Sequence, residues 1–132
     1  MNAAFADTFF CLALLDSRDP AHELAVAECE STRTIVATEF VLLELGNSCA
    51  RAEDHADFLA LSEGVRGSAG TRIVPLDSGL LQRRLELFAA RSDKDWSVTD
   101  CISFVVMKDQ RLTEALTGDR HFEQAGFKPL LA

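Results

Sequence analysis

The sequence is short of positive charge. It has 13 Lys and Arg against 21 Asp and Glu, a formal net charge of −8, which argues against a protein that grips nucleic acid through a broad basic face. A nucleic-acid enzyme is not excluded, because carboxylates clustered to bind divalent ions add to the negative count and the ions reverse the local field. A basic partner would do the same. No apolar run approaches the ~20 residues needed to cross a bilayer. The opening MNAAFADTFF lacks the basic region and cleavage pattern of a signal peptide, so a cytoplasmic protein with no membrane association is expected. Cys11, Cys29, Cys49 and Cys101 form no Cys-x-x-Cys pair. Three of them lie in helix-like apolar patterns, as buried free thiols do, and neither a disulfide framework nor a zinc site is indicated. Repeats, low-complexity tracts and linkers are also missing, so residues 1–132 are expected to form one domain.

A hydrophobic fraction of 48% and a charged fraction of 26% are ordinary for a globular chain. Short apolar strands alternate with amphipathic helices. Strands are expected at Ala3–Ala6, Thr34–Ala37, Arg72–Leu76 and Ala115–Thr117, with an edge strand at Lys128–Leu131, where Pro129 confines it to the sheet margin. Helices are expected over Thr8–Leu15, from Pro20 through Glu30 with Asp19 as N-cap, over Glu39–Arg51 behind Thr38, and over Glu53–Glu63. Gly64, Gly67, Ser68 and Gly70 mark a loop. Asp77 or Ser78 caps a further helix carrying Leu80, Leu81, Leu85, Leu87 and Phe88. The most informative stretch is Ser97–Phe122. There Val98, Cys101, Ile102, Val105 and Val106 repeat at helical spacing, and the helix leads into a short buried strand and a helical turn at His121–Ala125. The alternation predicts an α/β architecture with a parallel sheet covered on both faces.

Ligands of an open parallel sheet gather beyond the carboxyl ends of its strands. Asp7 ends the first strand and Asp119 follows the Ala115–Thr117 strand. Asp100 opens the helix that leads to that strand, and Glu44 lies in the helix after the second. Each has an ordinary reading: Asp7 caps a helix, Asp100 completes a capping box with Ser97, and Asp119 is a turn residue. Glu44 is harder to dismiss, because FVLLELG offers no cation to pair with it. It shares a helix face with Asn47 and Ser48, which are suitable neighbours for an ion site. Four mutually repelling carboxylates at one end of a sheet call for divalent cations, and an all-oxygen set suits Mg²⁺ or Mn²⁺. Such ions activate water and stabilise an in-line displacement at phosphorus.

Asp7-Thr8 after a short strand, Glu44 within V-L-L-E-L-G-N, S-V-T-D-C-I-S-F around Asp100, and T-G-D-R-H-F-x-x-A-G-F resemble the PIN-domain family. Within it, the VapC-type toxins of bacterial toxin–antitoxin pairs are the branch the chain looks most like. The resemblance runs from Ala4 to Leu131. It implies a three-layer α/β/α fold around a roughly five-stranded parallel sheet. It also implies a Mg²⁺- or Mn²⁺-dependent endoribonuclease acting on single-stranded or loop RNA. Carried over by motif, Asp7, Glu44, Asp100 and Asp119 match the acidic quartet that holds the metal, and Thr8 and Thr117 match supporting hydroxyl positions. The family also implies a homodimer and an antitoxin protein that inserts into the active-site groove. The acidic net charge departs from many relatives and argues against strong unaided RNA binding.

Two rival functions differ in kind. An aspartate-nucleophile phosphatase or phosphotransferase would use Asp7, but such chemistry usually wants an acid two residues on, and Phe9 stands there. A non-catalytic binding module would keep the fold and bind no metal. Asp95 is read as a solvated loop charge, His121 as structural or at the surface, Glu114 as facing water, and Glu39 as a dipole partner outside the site. Arg18, Lys94 and Arg120 are candidate phosphate contacts. Trp96 is expected to pack on the domain, and Phe9, Phe10, Leu12 and Leu15 exceed one buried face.

Overall fold

A computed structural model describes residues 2–132. Five strands, β1 (Ala3–Ala6), β2 (Thr34–Thr38), β3 (Thr71–Val74), β4 (Glu114–Leu116) and β5 (Lys128–Pro129), form one sheet in the order β3-β2-β1-β4-β5. Every pairing is parallel. Seven α-helices connect them: α1 (Thr8–Leu15), α2 (His22–Glu30), α3 (Glu39–Ser48), α4 (His55–Gly67), α5 (Ser78–Ala90), α6 (Val98–Asp109) and α7 (Arg120–Gln124). The chain steps from β1 outward through β2 to β3, then crosses back to β4 and on to β5. With right-handed crossovers, α1–α4 therefore cover one face and α5–α7 the other, the three-layer α/β/α arrangement. Among the described residues no helix is long and apolar enough to span a membrane.

Phe5, Val36, Ala115 and Leu116 in the strands are fully buried, as strands covered on both faces must be. On the α5–α7 side, Phe104 meets Trp96 and Phe122 edge-on at 4.8 and 4.9 Å between ring centroids. Trp96 packs inward as expected and donates from Nε1 to Gln124 Oε1 at 3.2 Å.

Several element boundaries shift from the sequence reading for local reasons. Asp19 does not cap α2: its Oδ1 accepts from Ala21 N–H at 2.8 Å in a tight turn, and the helix starts at His22. Helix α3 stops at Ser48, where the Cys49 N–H closes onto Leu45 and Gly46 carbonyls. A 3₁₀ turn at Ala52–Asp54 precedes α4, which runs through Gly64 to Gly67. Half-buried Leu61 and Val65 hold that last turn on the protein, so two glycines do not end it. β3 and β5 are shorter than expected, and β4 begins one residue earlier. Cys11, Cys49 and Cys101 are buried free thiols, whereas Cys29 is exposed. Glu114 does not face water freely, since it accepts from Arg33 Nη1 at 2.8 Å.

Candidate active site

The first strand's neighbours send their onward connections to opposite sides, so a crevice opens beyond the carboxyl ends of β1 and β4, the usual place for a ligand in such sheets. Three aspartates converge there, each at the start of a helix. Asp7, 7% exposed, is the N-cap of α1 and accepts from Phe10 N–H at 3.2 Å through Oδ1. Asp100 completes the capping box of α6, accepting from Ser97 N–H at 3.1 Å while its own N–H donates to Ser97 Oγ at 2.9 Å. Asp119 caps the short α7, its Oδ1 accepting from His121 N–H at 2.9 Å. The ordinary capping roles are thus real, and they also fix the carboxylates. Capping engages one oxygen each of Asp100 and Asp119, and the positive helix ends offset part of the crowded negative charge.

Thr117 ties the cluster together. Its hydroxyl donates to Asp7 Oδ2 at 2.8 Å and accepts from Asp119 N–H at 3.0 Å, so one fully buried side chain sets two carboxylates. Gly118 leaves room for the Phe9 ring against the turn between them. A Cβ there would stand 2.6 Å from the tip of the Phe9 ring, closer than real contacts allow. After α7, Gly126 takes φ +95°, the left-handed conformation that glycine adopts at a helix end without penalty. Both glycines of the T-G-D-R-H-F-x-x-A-G-F stretch therefore have a physical reason.

Glu44 reaches the site from α3 through Thr8, whose hydroxyl donates to Glu44 Oε1. Thr8 directly follows Asp7, so the half-buried glutamate is tied to the residue next to the first aspartate. Its expected polar neighbours do not gather round the carboxylate: Ser48 donates to the Glu44 backbone carbonyl at 3.2 Å and Asn47 is exposed.

The electrostatics are those of an anionic pocket lacking its counter-charge. Burial pushes the Asp7 carboxyl up to about 7 against the hydrogen bonds from Thr117 and Phe10, and the Asp119 and Asp100 charges push it further. Burial, helped by Asp119, also raises Asp100. Among the described residues no Lys or Arg pairs with Asp7, Glu44, Asp100 or Asp119; the basic side chain at hand is His121, whose Nδ1 lies 3.4 Å from Asp100 Oδ2 and 3.3 Å from Asp119 Oδ1. That nitrogen is buried and has no hydrogen-bond partner. One buried and two half-buried aspartates with no Lys or Arg partner among the described residues, beside a buried ring nitrogen without a hydrogen bond, fit a divalent ion.

The sequence reading assigned His121 to structure or surface; the structure puts it against two of the aspartates. Its position two residues after Asp119, on the N-terminal turn of a capped helix, was the signal that could have found it. Of the other candidates, Asp95 and Arg120 are exposed, Arg18 pairs with Asp16 in solvent, and Glu39 accepts from Leu76 N–H and Arg66. The best-formed apolar cavity, about 300 Å³ under α4, is lined by Phe10, Cys11, Leu14, Ile73 and neighbours and by none of the four acids. Its burial pushes the Cys11 thiol up to about 12, which makes that thiol inert.

Fold and site together define a three-layer α/β protein with a carboxylate pocket at the switch point of its sheet. The profile of the PIN domain matches residues 4–128, and the chain belongs to that family. It is similar to the 23S rRNA-specific endonuclease VapC20 of Mycobacterium tuberculosis, at 28% identity over 124 residues, 93% of this chain and 94% of the relative. The same protein from a second strain matches equally. The crystal structure of M. tuberculosis VapC20, described as a Sarcin-Ricin loop cleaving toxin, superposes with a TM-score of 0.86 at 24% identity, covering 98% of this chain and 99% of that one.

Proposed function

We propose that this protein is a divalent-ion-dependent endoribonuclease, the toxin of a type II toxin–antitoxin pair, acting as one PIN-like unit in the cytoplasm. The observation that carries the reading is the convergence of Asp7, Asp100 and Asp119, with Glu44 tied to the neighbouring Thr8, where among the described residues no Lys or Arg pairs with these acids. The similarity to a named 23S rRNA endonuclease over nearly the whole chain supports RNA as the substrate.

Asp7, Asp100 and Asp119 would hold Mg²⁺ or Mn²⁺, with Glu44 at the margin. The bound ion supplies Lewis-acid activation of water and neutralises charge developing on the phosphate. The chain's own residues do the positioning. Thr117 locks Asp7 and the Asp119 backbone, the Ser97 box fixes Asp100, and Thr8 turns Glu44 toward the pocket. An aspartyl-phosphate route is disfavoured, because that chemistry usually wants an acid two residues after the nucleophile and Phe9 stands there.

Incubation with RNA and Mg²⁺ or Mn²⁺ is expected to give fragments with 5′-phosphate and 3′-hydroxyl ends and none in a chelator. Cleavage that persists in the chelator, or cyclic-phosphate ends, would contradict the reading. The pocket's negative charge suits an antitoxin segment carrying a basic side chain.

A homodimer is part of the proposal, supported by Leu81, Leu85 and Phe88, which are 37%, 41% and 45% exposed and make one stripe along α5. Two antiparallel copies of α5 would set Leu81 opposite Phe88 of the second copy, a self-complementary apolar contact. Sedimentation should find a dimer that Leu85→Glu converts to a folded monomer. A dimer unaffected by that change would move the interface elsewhere.

A further inference from the structure

We infer that His121 supplies a nitrogen ligand to the ion of this pocket and thereby makes the site favour Mn²⁺ over Mg²⁺. The inference rests on the metal-dependent reading above and goes beyond it, because the acidic set by itself contains only oxygen donors.

Three observations carry it. One ligand atom each from Asp100, Asp119 and His121 lie within 4.8 Å of one another. The Nδ1 to carboxylate distances, 3.3 and 3.4 Å, are close to the roughly 3 Å that separates adjacent ligands of an octahedral ion bound at ~2.1 Å. Nδ1 is also buried without a hydrogen-bond partner, a position that costs free energy unless something else engages the nitrogen. Finally, the backbone that carries the ring is held. The His121 backbone N–H donates to Asp119 Oδ1, and the next residue, Phe122, is fully buried against Phe5 and Phe104. A main chain anchored on both sides of the imidazole places Nδ1 beside two carboxylates.

The chemical consequence follows from ligand preference. Mg²⁺ binds oxygen, keeps several waters and gains little from imidazole, whereas Mn²⁺ accepts mixed oxygen and nitrogen sets more readily. A nitrogen at this position therefore strengthens Mn²⁺ binding selectively. His121→Asn keeps a short polar side chain while removing the imidazole, so it should weaken Mn²⁺ more than Mg²⁺.

The test combines calorimetry with electron spin-echo spectroscopy on Mn²⁺-loaded protein. The unmodified chain should show modulation from a directly bound nitrogen, and His121→Asn should lose it. The variant's preference for Mn²⁺ over Mg²⁺ should fall by about tenfold, with Mg²⁺ affinity changed by less than about threefold. Absence of the nitrogen modulation in the unmodified chain, or an unchanged ion ratio in a variant that melts normally, overturns the inference. Should the variant fail to fold, the spectrum of the unmodified chain decides alone. Asp100→Asn separates the two levels. If it abolishes Mn²⁺ binding while no nitrogen signal exists, His121 is excluded and the acidic site stands. If the unmodified chain binds no Mn²⁺ at millimolar ion, both fall together.

Discussion

Replacing Asp7 or Asp100 by Asn is expected to lower RNA cleavage by on the order of 10²–10³-fold, as removal of one group stabilising a developing charge commonly does, while the chain stays folded. The asymmetry between activity and stability follows from what each carboxylate does. As caps they need only an acceptor oxygen, and Asn keeps one: Asn at position 7 can still accept from Phe10 N–H, and at position 100 from Ser97 N–H. As ion ligands they need charge, which Asn lacks. Circular dichroism and RNA cleavage measured on the same preparations check both halves. Unchanged cleavage by both variants would refute the assignment. Ser97→Ala offers the reverse case, since it keeps every carboxylate and removes the Asp100 N–H partner. It should cost about 1 kcal/mol of stability.

The second large effect is on stability against pH in the metal-free protein. The folded chain keeps the Asp7 proton to about pH 7, whereas the ordinary value for an unfolded aspartate is 3.8. A carboxyl raised in the folded state contributes stability that is complete below about pH 4 and is lost as pH rises to 7, levelling off above. The difference corresponds to on the order of 4 kcal/mol, and Asp100, also raised by burial, adds in the same direction. Asp16, Glu39 and Asp93, held low chiefly by backbone or side-chain hydrogen bonds, act oppositely. Their contribution changes only as pH falls through the acid range, below the window that matters here. Urea unfolding in chelator should therefore give a midpoint that drops from pH 5 to pH 7.5. Asp7→Asn should flatten that slope, and Mn²⁺ should restore stability at pH 7.5 by occupying the pocket in its ionised form. A midpoint rising with pH across this window would contradict the burial of an uncompensated Asp7.

Much of the fold was legible because its signals were local. The runs AAFA and TIVA, the Ser97 capping box and the Asp77 cap each named an element that the structure contains. Boundaries failed where tertiary packing outweighed local propensity, as in α4, which passes its glycines because Leu61 and Val65 still rest on the protein. The pattern also gave no hint of Arg84. It sits on the inner side of α5, 1% exposed, with Nη2 on Asp109 Oδ2 at 3.0 Å and Nε unpartnered. An arginine on an amphipathic helix reads as solvent-facing until a neighbouring helix end is seen to cover it.

The site was legible in a different way. Asp7 and Asp119 stood at strand ends, and a parallel sheet gathers strand ends, so topology alone brought them together. Thr117's double hydrogen bond and Thr8's hold on Glu44 could not be read from periodicity, since they depend on side-chain rotamers across β1, β4 and α3. His121 was undervalued for the same reason: only the turn of α7 shows which ring nitrogen faces the aspartates.

The central claim is that the crowded carboxylates are made tolerable by a divalent ion. Anomalous scattering from crystals grown in Mn²⁺ tests it most directly. The account predicts a peak within ~2–2.4 Å of carboxylate oxygens from Asp7, Asp100 or Asp119. A map with no peak there, while Mn²⁺ appears elsewhere on the molecule, would contradict it.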